Sequence, residues 1–347
     1  MGIQTSSVNN GPTAGFKNAI INGNFDIWQR GTSGTLAASS SFQYASADRW
    51  GWTTDGSAYG TRTISQQSFT LGQTEVPNNP KYFCRFNQSV APTGATFSVF
   101  GQRIESVSTF AGQQVTVSFW AKASSSTTLT QYQLEQRFGS GGSPSAGVIT
   151  VCASTVVIGT TWTKYTATVT LPSVSGKTLG TNGDDNLSLI FVPSTPNGTF
   201  TIDIAQVQLE RGPVATTFER RPIGTELGLC QRYCARWDYG ARDTAYFFLQ
   251  GDVGIALSEP LTLPTPMRVS PSGTFVNASS WNIEAGGGIT ITDRVIRSDY
   301  QSGKTDVTTF NLGFTVTGTT WTVRVIRSNH NSVAASPYII LDSELFS

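Results

Sequence analysis

Apolar and polar residues alternate along most of this chain. Val115, Val117 and Phe119 share one parity against Thr116, Ser118 and Trp120. Tyr165, Ala167, Val169 and Leu171 do the same against Thr166, Thr168 and Thr170. A period of two in β-branched and aromatic residues predicts half-buried strands. Turn-forming clusters separate the runs: Pro77 to Pro80, Gly139 to Pro144, Gly180 to Asp185 and Pro193 to Gly198. In FTIDIAQVQLE the parity switches, from Phe200, Ile202 and Ile204 to Ala205, Val207 and Leu209. That switch predicts a bulge, or burial of both faces.

Between Pro222 and Trp237 the period changes. Leu227, Cys230, Cys234 and Trp237 recur at helical spacing, and Thr225 is placed to cap the helix. A lone amphipathic helix between β-regions packs on one of them or on copies of itself. The second option makes Leu227, Cys230, Cys234 and Trp237 candidate oligomerisation residues. From Trp237 onward strands resume, and FTVTGTTWTVRV predicts a hairpin turning at Thr317 to Thr320. Residues 1–17 are polar and rich in turn formers, and read as an arm. The expected organisation is all-β: an arm over 1–17, a β-domain over 18–221, a helical linker over 222–236 and a C-terminal β-sandwich over 237–347.

Composition sharpens this picture. Charged residues are only 13% of the 347, so solubility rests on hydroxyls, amides and glycine, as on the polar faces of sheets. The formal net charge is +1 and no basic cluster occurs, which argues against nucleic acid or an anionic membrane as partner. No apolar run approaches the roughly 20 residues that span a bilayer. Met1 to Thr13 has no charged and apolar leader pattern, so no signal peptide is expected. Synthesis in a cytoplasm is then expected. Cys84, Cys152, Cys230 and Cys234 are expected to be reduced. The N-x-S/T matches at Asn87, Asn186, Asn197 and Asn277 are expected to carry no sugar.

Candidate chemistry is sparse. His330 is the single histidine, with no nucleophile–base constellation and no phosphate-binding loop, so the chain is expected not to be an enzyme. Asp184, Asp185 and Asp203 are the candidates for a paired-carboxylate site, but Asp184 and Asp185 fall in a Gly/Asn turn where Asp caps its own backbone. Trp52, Tyr59 and Tyr132 stand in polar surroundings and are candidate sugar-stacking rings. Asp48-Arg49-Trp50 reads as an internal pair with a core indole.

Five segments, in order, resemble a family of bacteriophage tail-fibre and virion proteins. They are Asn18 to Arg30 (NAIINGNFDIWQR), Ala47 to Trp50 (ADRW), Gln102 to Glu105 with Gly112 to Lys122 (QRIE, GQQVTVSFWAK), Gln206 to Arg221 (QVQLERGPVATTFERR) and Leu227 to Tyr233 (LGLCQRY). The resemblance covers about residues 18–236 and extends loosely to Pro264-Thr-Pro-Met-Arg268. It implies a jelly-roll β-sandwich, similar to carbohydrate-binding modules, over 18–221. It also implies a structural calcium held by Asn24, Asp26 and Asp203. Location on a virion would follow, with the N-terminal arm held by capsid or tail proteins. A fibre or spike that binds host surface polysaccharide is expected. It would be a homotrimer, because trimerisation covers strand edges and multiplies weak sugar contacts. The alternative is a capsid decoration or cement protein that stabilises the shell without touching a receptor.

Overall fold

The computed structural model describes residues 16–238, 247–252, 254–258, 261–269, 272–276, 281–284, 290–297, 305–317, 324–328, 338–342 and 344. Residues 1–15 of the expected arm, and His330, lie outside this set. The fold is nearly all-β with one short helix. Two compact units divide it, one of residues 1–226 with 345–347 and one of residues 227–344.

The first unit carries twelve strands: β1 (Ser33–Thr35), β2 (Gln43–Tyr44), β3 (Trp50–Thr54), β4 (Thr61–Ser68), β5 (Tyr82–Val90), β6 (Ser98–Glu105), β7 (Gln114–Ala123), β8 (Thr127–Arg137), β9 (Val148–Ile158), β10 (Thr163–Thr170), β11 (Asn186–Pro193) and β12 (Phe200–Arg211). They form two antiparallel six-stranded sheets. One has the order β1-β4-β5-β12-β7-β10 and the other β2-β3-β6-β11-β8-β9. The alternating runs are the half-buried strands expected, and the two sheets form the sandwich that the resemblance implied. Val115, Val117 and Phe119 of β7 point into the core with Leu187, Leu189 and Phe191 of β11. Aromatic rings fill the middle, with Phe86 stacked on Phe100 at 4.1 Å and Phe119 edge-on to Phe191 at 5.0 Å. Such offset and edge-on pairs add to the large apolar area each ring buries.

The parity switch in β12 is a bulge. Register against β7 shifts between Ala205 and Gln208, and Gln206 adopts φ 49°. The extra residue lets Ile202 and Ile204 before it, and Val207 and Leu209 after it, all face the same core. The segment 18–24 follows this end of β12, with Ala19 N–H donating to Leu209 O at 2.9 Å and Val207 N–H to Gly23 O at 2.9 Å. A Cβ on Gly23 would come within 2.2 Å of Val207 O, so glycine alone permits this approach.

The helix α1 (Ile223–Gln231) is shorter than the expected one. It starts before Thr225, with Glu226 N–H donating to Pro222 O at 3.1 Å, so Thr225 is not the cap. Proline suits a helix start because its missing N–H would be unpaired there. Cys234 and Trp237 lie not in the helix but in β13 (Cys234–Asp238), which pairs with β22 (Tyr338–Asp342). Spacing of three and four fits a helix, but pairing with a distant strand decides this segment.

The second unit continues with β14 (Phe247–Asp252), β15 (Gly254–Ser258), β16 (Leu261–Val269), β17 (Ser272–Val276), β18 (Trp281–Glu284), β19 (Thr290–Arg297), β20 (Thr305–Thr317) and β21 (Arg324–Ser328). One sheet has the order β13-β22-β17. The other runs β16-β20-β15-β14-β21-β18, with β19 pairing β20. The hairpin expected across Thr317 to Thr320 is therefore corrected. β20 pairs with β15, β16 and β19, whereas β21 pairs with β14 and β18. Alternation identifies both strands but not their partners. Among the described residues no helix is long and apolar enough to cross a membrane.

Candidate functional site

The second sheet of the first unit exposes a groove of about 560 Å³ on the face turned away from the core. Strand parity builds it. In β3, β6, β11 and β8 the core takes Trp52, Phe100, Phe191 and Leu134, so Thr53, Val99, Val192 and Gln133 face outward. Register then sets rows across the strands. Gly101, Ile190, Gln133 and Val151 lie side by side, and so do Arg103, Ser188, Glu135 and Ile149. The floor is mostly aliphatic. Amides and charges stand on β8, where Gln131, Gln133, Glu135 and Arg137 occupy successive outward positions. A volume of this size, apolar with a few convergent polar groups, is typical of ligand sites.

Two rings border the groove. Phe42 lies over Gly51, where a Cβ would meet its ring at 2.2 Å, so the strand must be bare there. The Arg103 guanidinium lies over the same ring, 4.4 Å from its centre. Phe97 is the exposed ring, at 38% of its full accessibility. Its loop is pinned by Asp55, whose carboxylate accepts from Thr96 N–H at 2.7 Å, Thr96 Oγ1 at 2.6 Å and Phe97 N–H at 3.0 Å. Slight desolvation raises the Asp55 pKa, but these hydrogen bonds outweigh it and leave the carboxyl below its ordinary value.

The sequence-derived ring candidates are elsewhere. Trp52 is fully buried, stacked on Phe200 at 5.6 Å, with its Nε1–H donating to Ser98 Oγ at 2.9 Å. Tyr132 is 1% exposed and edge-on to Phe119 at 5.1 Å, and burial raises its hydroxyl pKa. Neither can stack on a sugar. Both stand between polar neighbours because those neighbours point the other way. Tyr59 is half-buried in the turn between β3 and β4 and does not line the groove. The residues missed by the sequence reading are Phe97, Arg103, Gln131, Gln133, Glu135 and Arg137. The alternation of Gln131, Gln133 and Glu135 with Tyr132 and Leu134 was the available signal.

The carboxylates expected to serve catalysis or calcium have other occupations. Asp184 accepts from Ser140 N–H at 2.7 Å and Ser140 Oγ at 2.6 Å, and Asp185 from Val107 N–H at 2.8 Å. Asp203 holds Arg85 through both oxygens, at 2.7 and 2.9 Å. A cation bound there would compete with that guanidinium, so Asp203 does not fit a calcium ligand. Asn24 donates to Asp26 at 2.8 Å, and Asp26 shares an open pocket with Lys81 and Arg220. In the N-terminal loop Asn22 donates to Ile27 O at 2.8 Å and Asp48 O at 3.1 Å, and accepts from Ile27 N–H at 3.0 Å. Among the described residues no group of three His, Cys, Asp or Glu side chains could hold a metal. Asp48-Arg49-Trp50 is internal as expected. Asp48 accepts from Gln29 N–H at 2.9 Å, and Trp50 is a core ring donating to Asn22 O at 3.2 Å.

Of the four proposed oligomerisation residues, Cys230 and Cys234 are fully buried and Leu227 is half-buried. Trp237 lies in β13, and its side chain is outside the described set. None of the four cysteines forms a disulfide.

No protein-family pattern and no curated protein matches the chain. Among solved structures it is similar to the enzymatically active domain of bacteriophage CBA120 tailspike protein 4, at 16% identity and a TM-score of 0.34. That match covers 56% of this chain and 21% of the tailspike chain, so this chain spans about a fifth of its length. It is also similar to the CBM22-2 xylan-binding domain of Xyn10C from Paenibacillus barcinonensis, at 16% identity and a TM-score of 0.31, over 46% of this chain and 91% of the other. A CBM4 module matches at 16% identity and a TM-score of 0.31, over 55% and 98%. At TM-scores this low, the strand order and register alone define the fold.

Proposed function

We propose that this chain is a glycan-binding virion protein, a fibre or spike that touches a host surface polysaccharide through the groove on its second sheet. The observation that carries the glycan reading is the groove itself. It is an open, aliphatic-floored channel with one exposed ring, Phe97, and a line of amide and charged side chains on β8. Flat apolar C–H faces of pyranoses suit the ring and floor, and their hydroxyls suit Gln131, Gln133 and Glu135. The role is binding rather than catalysis, because Asp184, Asp185 and Asp203 are each engaged in holding the fold. The five ordered segments that resemble phage fibre and virion proteins support the particle context.

Affinity electrophoresis against a panel of soluble polysaccharides tests the groove. At least one polymer retards the protein, and Phe97→Ala weakens that retardation by about five- to tenfold, as expected for loss of roughly 1–1.4 kcal/mol of ring contact. Retardation that Phe97→Ala leaves unchanged would remove the groove from the reading. A second reading, capsid cement, shares the sandwich but not the need for an open groove. Copy number separates the two, since a fibre is present in far fewer copies per particle than a cement.

A further inference from the structure

Phe97, the exposed ring of the groove, stands on the loop 93–97 that leads into β6. A ring on a loose loop loses freedom when a sugar stacks on it, and that loss subtracts from affinity. This loop is instead fastened on two sides by groups that do not line the groove.

On one side lie residues 54–58. Thr54 Oγ1 donates to Phe97 O at 2.8 Å, Ser57 N–H donates to Thr93 O at 3.0 Å, and Thr93 N–H donates to Ala58 O at 2.8 Å. Between them sits the Asp55 carboxylate. Its Oδ1 accepts from the N–H groups of both Thr96 and Phe97, and its Oδ2 accepts from Thr96 Oγ1. On the other side is the turn Thr195 to Gly198. Proline in its second place and glycine in its fourth suit a type I turn, and Gly198 N–H donates to Thr195 O at 2.9 Å. Asn197 reaches from this turn to Ala95. It accepts from Ala95 N–H at 2.7 Å and donates to Ala95 O at 2.7 Å. The turn is anchored from beneath by Gln88, which is fully buried and donates to Pro196 O at 2.9 Å and Gly198 O at 2.6 Å. Ser98 Oγ donates to Gln88 Oε1 at 2.6 Å and accepts from the Trp52 indole. The core ring Trp52 therefore ends a chain of hydrogen bonds that leads to the loop of Phe97.

We propose that Asp55 and Asn197 are positioning residues for glycan binding: they hold the Phe97 loop in its binding conformation before a sugar arrives. Affinity then depends on two side chains that do not touch the ligand. This inference rests on the groove being the glycan site. The two clamps differ in kind. Asp55 only accepts, so an asparagine there keeps one oxygen for the two N–H groups and turns its amide toward the Thr96 hydroxyl oxygen. Asn197 both accepts and donates, so an aspartate there would set an oxygen against Ala95 O. The two exchanges are therefore unequal.

The test uses the full chain in affinity electrophoresis, with melting temperatures alongside. Probes are dextran, soluble xylan, hydroxyethylcellulose and the lipid-free O-polysaccharide of a bacterial lipopolysaccharide. With the polymer whose retardation Phe97→Ala weakens, Asp55→Ala and Asn197→Ala are each expected to weaken binding by about three- to fivefold, the worth of one side chain that must be immobilised on binding. Asp55→Asn is expected to keep most of the binding, and Asn197→Asp to lose as much as Asn197→Ala. Added to Phe97→Ala, Asp55→Ala is expected to cost nothing more, because the clamp has no ring left to present. A role in stability alone would produce neither the unequal exchange nor the missing increment. The near-isosteric Asp55→Asn and Asn197→Asp carry the comparison if the alanine variants melt early. Retardation that Phe97→Ala weakens but Asp55→Ala and Asn197→Ala leave unchanged would overturn the positioning role and leave the groove. Losses that add in the double variant would also overturn it. No retardation by any polymer, or retardation indifferent to Phe97→Ala, would overturn the groove and the positioning role together.

Discussion

Cys152 lies on β9 with most of its side chain covered, and burial pushes its thiol pKa from 9.0 up to about 12, against a small lowering by a hydrogen bond from the Leu134 backbone. Cys84, fully buried in the core, is raised by burial and secondarily by Asp203. An acid whose pKa is higher in the fold than in the unfolded chain supports folding below the unfolded pKa. That support is lost as pH rises through the folded value. The melting temperature is therefore expected to fall progressively between about pH 9 and 12. Cys152→Ala should flatten part of that decline in a pH series of thermal melts; an unchanged slope would show that Cys152 ionises freely. The same burial explains why Trp52 and Tyr132 are core rings rather than ligand contacts. Each stands among polar residues in sequence, but a strand sends neighbours to opposite faces.

At the level of elements, α1 is tied to the N-terminal loop by one carboxylate. Arg221 Nη1–H donates to both Glu226 oxygens at 3.1 Å, and Asn22 N–H donates to Oε1 of the same group. Arg221 also donates to Ile20 O at 3.1 Å, so helix, loop and the end of the first unit share one network. Glu226→Ala leaves the buried Arg221 guanidinium with only Glu219, 3.9 Å away, as its anion, and is expected to cost about 3 kcal/mol. Thr225→Ala, which removes no cap, should stay within about 0.5 kcal/mol. Urea midpoints of the two variants decide the matter, and equal losses would mean that the hydroxyl, not the ion pair, anchors the helix. Neither contact was legible in the sequence, because Asn22 and Glu226 are 204 residues apart. The parity switch at Ala205 was legible, but that it is a bulge rather than burial of both faces was decided by the register against β7.

At the scale of the whole molecule, each sheet of the first unit ends in strands that pair on one side only among the described residues, and β9, VITVCASTVVI, has neither charge nor proline to blunt its outer edge. Ile149, Val151 and Val157 are exposed along it. A homotrimer that covers such edges is the expected assembly, and light scattering on the full chain should give three times the monomer mass. A monomer would count against the trimer. By itself the sequence determined the all-β class and the parity switch in β12, because alternation and turn chemistry are local signals that a strand must obey; the sandwich of the first unit and the internal role of Asp48-Arg49-Trp50 were expected from the family resemblance. Tertiary structure alone decided which strands are neighbours, that Cys234 and Trp237 join a sheet, that Asp203 serves Arg85, and that Phe97, Arg103 and Arg137 share a groove. Those facts depend on register between strands remote in sequence, and no local pattern encodes a partner.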